Sequence, residues 1–65
     1  MDEFLNHLFF TFEGSYGTIE IWGNEGYASY EYRILREGQE IARSDFGAGS
    51  VEAALMRALQ FVLEN

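Results

Sequence analysis

Gly47-Ala48-Gly49-Ser50-Val51-Glu52-Ala53-Ala54-Leu55-Met56-Arg57-Ala58-Leu59 is the stretch where the spacing of apolar residues changes from two to 3.6. Val51, Ala54, Leu55, Ala58, Leu59 and Val62 fall on one side of a helix, which predicts an amphipathic helix after Gly49. Ser50 stands where an N-cap hydroxyl can accept from an unpaired backbone N–H, and Glu52 suits the positive end of the helix dipole. The other side carries Glu52, Arg57, Gln60 and Glu64, with Met56 and Phe61 near its borders.

Upstream of that helix the segments are short, alternate in polarity and are separated by glycines. In the first, Leu8, Phe10 and Phe12 are expected on one face and Phe9, Thr11 and Glu13 on the other, before a hairpin loop at Gly14-Ser15-Tyr16-Gly17. Ile19 and Ile21 alternate with Thr18, Glu20 and Trp22, and Gly23-Asn24-Glu25-Gly26 reads as the second turn. Ala28, Tyr30, Tyr32 and Ile34 share a face in the third run, opposite Tyr27, Ser29, Glu31, Arg33 and Leu35, and Arg36-Glu37-Gly38-Gln39 turns it. The fourth run, Glu40 to Phe46, puts either Ile41 or the Ala42 and Phe46 set toward the core, a pattern that suits a bulge. Met1 to Asn6 read as a helical turn or a frayed end. The whole predicts an α+β fold, a four-stranded antiparallel meander with one C-terminal helix on one face (ββββα), in a single domain spanning residues 1–65.

Charge is one-sided. The first 32 residues hold Asp2, Glu3, Glu13, Glu20, Glu25 and Glu31 and no lysine or arginine, so most of the net charge of −7 lies in that half. With 48% hydrophobic residues the chain is too apolar for a disordered acidic tail. No cysteine is available for a disulfide or zinc-thiolate site, and His7 is the only histidine. No apolar run approaches the roughly 20 residues of a membrane span and Met1-Asp2-Glu3 lacks the basic start of a signal peptide, so a cytoplasmic location is expected. Gly47-Ala48-Gly49-Ser50 lacks the lysine of a phosphate-binding loop. The segment from Ile19 to Leu63 resembles the first half of a ribonuclease H fold in outline, but Trp22-Gly23-Asn24 stands where a metal-binding aspartate belongs. Neither an enzymatic activity nor a cofactor or metal is expected. The sign of the charge also argues against direct nucleic-acid contact.

If Phe10, Phe12, Ile19, Ile21, Tyr30, Tyr32 and Ile34 face the helix, then Glu13, Glu20, Trp22, Tyr27 and Glu31 lie on the uncovered face, and Glu25 extends the acidic field at its end. Same-face residues there are about 6.7 Å apart along a strand and about 4.8 Å apart across strands, spacings close to those of a nucleic-acid backbone. Glu13, Glu20, Trp22, Glu25, Tyr27 and Glu31 are therefore the expected partner-binding residues.

The run Tyr30-Glu31-Tyr32-Arg33-Ile34-Leu35-Arg36-Glu37-Gly38-Gln39-Glu40-Ile41-Ala42-Arg43, followed by Gly47-Ala48-Gly49-Ser50-Val51-Glu52-Ala53-Ala54-Leu55, resembles the small acidic phage-encoded anti-CRISPR proteins. That resemblance covers about half the chain and carries no position-by-position motif. It implies a non-enzymatic inhibitor in the host cytoplasm that occupies a basic DNA-binding site on a CRISPR effector complex by imitating DNA. The alternative is a small interaction protein that forms a homodimer, or binds a protein partner, through its aromatic sheet face.

Overall fold

The computed structural model describes residues 7–44 and 47–64, with the backbone alone at Glu25. Four strands, β1 (His7–Gly14), β2 (Gly17–Asn24), β3 (Ser29–Arg36) and β4 (Gln39–Arg43), form one antiparallel sheet in the order β1-β2-β3-β4. The helix α1 (Val51–Glu64) lies on one face, chiefly over β3 and next over β2. This is the expected ββββα arrangement. The expectations for Met1 to Asn6 and for Phe46 lie outside the described residues.

The core forms where the two periods meet. Ile19, Ile21 and Ile34 from adjacent strands are fully buried beneath Ala54 and Ala58 of α1. Burying each isoleucine side chain contributes about 1.5–3 kcal/mol. The helix residues at the centre of the contact are alanines, so the backbone of α1 approaches the sheet closely, and Leu55, Leu59 and Val62 fill its flanks half-buried. Ser50 caps α1 as expected, its Oγ accepting from the Ala53 N–H at 3.1 Å.

After β4 the chain stays on the edge of β3. The Ser44 N–H donates to the Tyr32 carbonyl, and Ala48 and Tyr30 exchange two backbone hydrogen bonds of 2.9 and 2.6 Å. This extension places Ser50 at the start of β3, so that α1 returns across the sheet.

The structure corrects four local expectations. β1 does not alternate cleanly: Leu8 pairs with Trp22 and Phe10 with Ile21, so Phe9 is an extra residue in a bulge. Leu8 thus joins the face away from the helix, and Phe9 packs edge-on against Tyr30, with ring centroids 5.2 Å apart. Phe10 and Phe12 share the helix side with Ile21 and Ile19 but are 36% and 47% exposed, because α1 lies chiefly over β3 and β2. Gly23 is a buried strand residue and not part of a turn. A Cβ there would collide with the Tyr30 ring and the Ser29 carbonyl, so glycine lets an aromatic ring lie across the strand. The connection comes later, as a 3-10 turn at Glu25–Tyr27 closed by Ala28 at φ 50°, which removes Tyr27 and Ala28 from β3. The fourth strand holds the expected bulge: Ile34 pairs with Ala42 and Leu35 with Glu40, leaving Ile41 unpaired.

Candidate functional site

The face of the sheet away from α1 is the candidate surface. β2 contributes Thr18, Glu20 and Trp22, while β3 contributes Glu31, Arg33 and Leu35 opposite them, with Glu20 across from Arg33 and Trp22 across from Glu31. β1 adds Thr11 opposite Glu20 and Glu13 opposite Thr18. The two-residue turn Glu37-Gly38 has positive φ at both positions, the geometry that joins strands in a tight hairpin, and it sets Glu40 opposite Leu35.

Of the six residues expected to meet a partner, the structure brings Glu20, Trp22 and Glu31 together on neighbouring positions of β2 and β3, and places Glu13 diagonally from Glu20 on β1. Tyr27 is 72% exposed but stands in the 3-10 turn beyond the last strand pair, Asn24 with Ser29, at the rim of the face. Glu25 begins the same turn.

Sequence reasoning put Arg33 on this face but missed Glu40 and Arg43 and the ion pairs that link them to it. The Trp22 indole Nε1 donates to Glu20 Oε1 at 2.8 Å, and Arg33 reaches the same carboxylate at 3.6 Å. Arg33 Nε donates to Glu40 Oε1 at 2.7 Å, and Arg43 donates to both Glu40 oxygens at 2.8 and 2.9 Å. A row Trp22–Glu20–Arg33–Glu40–Arg43 therefore runs across β2, β3 and β4. The hydrogen bonds from Arg43 foremost, then from Arg33, outweigh a burial cost and bring the Glu40 carboxyl down to about 2. The signal was present in the Glu37-Gly38 hairpin, which fixes Glu40 on this face; the Ile41 bulge then carries Arg43 opposite Arg33.

The face thus divides. Toward β3 and β4 its charges are mutually neutralised. Toward β1 and the early part of β3, Glu13 and Glu31 have no ion-pair partner among the described residues, and Glu20 is shared between the two halves. Among the described residues no group of three histidine or acidic side chains is placed to hold a metal ion, and no helix is long and apolar enough to cross a membrane. No protein-family model, curated protein or solved structure matches this chain.

Proposed function

We propose that the protein is a non-enzymatic inhibitor acting in the host cytoplasm, whose acidic sheet face occupies a basic DNA-binding site on a CRISPR effector complex and so blocks target recognition. It needs no cofactor and makes no direct contact with nucleic acid. The observation that supports this reading is the placement of Glu13, Glu20 and Glu31 on the adjacent strands β1, β2 and β3 of one helix-free face, the first two of which have no lysine or arginine. A flat lattice of carboxylates about 4.8 by 6.7 Å offers a lysine- or arginine-lined groove acceptors at near-phosphate spacing. Trp22, held by its bond to Glu20, supplies a rigid aromatic surface among them.

Glu13 and Glu31 matter more than Glu20, because Glu20 already satisfies Trp22 and Arg33. Replacing Glu13 and Glu31 together by glutamine keeps size and polarity and removes two unpaired charges. Charge-assisted hydrogen bonds are worth about 1.5–3 kcal/mol each, so affinity for the purified effector falls by roughly 100-fold or more at low salt. The measurement is competition between the protein and target DNA for the effector at low and high ionic strength. A folded double variant that competes as well as the parent overturns the mimicry.

A further inference from the structure

We infer that β1 is a homodimerisation edge: two copies pair their β1 strands antiparallel about a two-fold axis at Phe12, joining the sheets into one of eight strands with both helices on the same side. Hydrogen-bond direction comes first. Tyr30 and Tyr32, on the helix side of β3, bond outward toward Ala48 and Ser44. Direction alternates along an antiparallel strand, so Glu31 and Arg33 bond toward β2, and Ile19 and Ile21 bond toward β1, where they meet Phe12 and Phe10. The backbone groups of Thr11 and Glu13 are left pointing away from the sheet with no partner strand among the described residues, a template for another strand.

The side chains favour a second copy as that strand. In a pairing centred on Phe12 the five residues from Phe10 to Gly14, which lie past the bulge, are regular in both chains. Phe12 meets Phe12, Thr11 meets Glu13, and Phe10 meets Gly14, where the ring of Tyr16 already lies and stacks on Phe12 at a centroid distance of 6.4 Å. No like charges stand directly opposite one another; the two Glu13 side chains are diagonal, about 8 Å apart from strand spacings alone. On the helix side the seam carries no charge. The hollow at the end of α1 is lined by Tyr16, Arg36, Ile41, Phe61 and Val62, so the Tyr16 ring, which stacks on Phe12, links α1 to the β1 side. The four phenylalanines of the paired strands then fill the space between two helices, burying rings that the single chain leaves 36% and 47% exposed. Such an interface is isologous and closes on itself, so it stops at two chains.

Sedimentation equilibrium of the full chain tests this from about 1 μM to about 1 mM, because the dimer population follows protein concentration. The parent should approach twice its 7.5 kDa mass as concentration rises. Raising the salt from about 0.1 to about 1 M should tighten the dimer by screening the repulsion between two acidic chains, the opposite of the effect on a basic partner. Phe12→Lys, and Thr11→Pro, which removes an outward N–H without touching a bond to β2, should each weaken association at least ~100-fold, each step of ten being about 1.4 kcal/mol. Ile41→Lys on the far edge should leave it unchanged. Glu13→Gln should tighten the dimer while weakening effector binding, so the two readings fail separately. Amide exchange gives a site-specific readout: the N–H groups of Thr11 and Glu13 become protected with concentration, while that of Phe12 is protected throughout. A parent that stays at 7.5 kDa across the whole range overturns the inference, as does a dimer that folded Phe12→Lys and Thr11→Pro chains form as well as the parent.

Discussion

β1 and β4 are both edges of one sheet, and they are finished differently. β4 has five residues, is broken by the Ile41 bulge, and carries Glu40 and Arg43 locked together with Arg33. A short, bulged, charged strand offers a neighbour little to pair with. β1 has eight residues, bulges only near its start, and presents Phe10 and Phe12 to solvent on the helix side. The contrast follows from size. A helix is about 10 Å across and strands are about 4.8 Å apart, so one helix covers about two strands and a four-stranded sheet must leave others bare. Here α1 settles over β3 and β2, and the uncovered edge on the β1 side keeps its aromatic residues.

Deleting apolar bulk from the covered and the uncovered strand measures that contrast, and it is the largest effect expected. Ile34→Ala empties a fully buried site between α1 and the sheet, and costs about 2–5 kcal/mol, enough to unfold much of the population of a domain this small. Phe12→Ala, from a side chain nearly half exposed, costs the single chain about 1 kcal/mol. Denaturant midpoints taken at low protein concentration decide it. Equal shifts would mean that β1 is as much part of the core as β3.

The hairpins that lead to the two edges differ as well. Gly17, in the β1–β2 connection, has φ +123°, and a Cβ there would overlap the backbone carbonyl of Leu35; Arg36 also donates to the Tyr16 carbonyl, at 3.1 and 3.2 Å. Gly38, in the β3–β4 turn, has φ +81° with open space around it. Gly38→Ala therefore pays only for backbone strain, about 1 kcal/mol, whereas Gly17→Ala adds a collision with backbone and should cost about 2–3 kcal/mol. Thermal or denaturant unfolding of the two variants reads the difference, and a Gly17→Ala chain no less stable than Gly38→Ala would remove the close approach of that turn to β3.

Much of the fold is legible in the chain because the decisive signals are local. The switch of period at Gly49, the Ser50 cap, the Glu37-Gly38 turn and the alternation of Ile19 with Ile21 each depend on a few neighbouring residues. The bulge at Phe9 is harder to read, since Leu8-Phe9-Phe10 is apolar whichever way it is threaded, and only pairing with Trp22 and Ile21 selects one. Gly23 reads as a turn because its partner, the Tyr30 ring, is brought in by the pairing of β2 with β3. The candidate face is legible in its residues and not in its charge balance. Glu13, Glu20, Trp22 and Glu31 fall on the expected side, but the neutralising row through Glu40 and Arg43 exists only in the bulged register of β4.

That row supplies the smallest and most specific effect. Glu40 is held at about 2 against an ordinary 4.5, so its carboxylate is favoured in the folded chain. A depressed value contributes stability that is fully present above about pH 4.5 and is lost as pH falls through about 2, where folded and unfolded chains are both protonated. The pair is near the surface, with the Glu40 side chain 28% exposed, so solvent screening limits the contribution to about 1 kcal/mol or less. Glu40→Gln should lower stability by that amount at pH 7 and in low salt, and the parent and variant should converge as pH falls to about 2. The variant also leaves Arg33 and Arg43 facing each other across β3 and β4 without the carboxylate between them, so the β4 edge should exchange its amides faster while β1 is unaffected. Unfolding midpoints measured from pH 7 down to about 2 test the sign; a gap between parent and variant that stays constant over that window would show that the Glu40 carboxylate stabilises the edge by packing and not by charge.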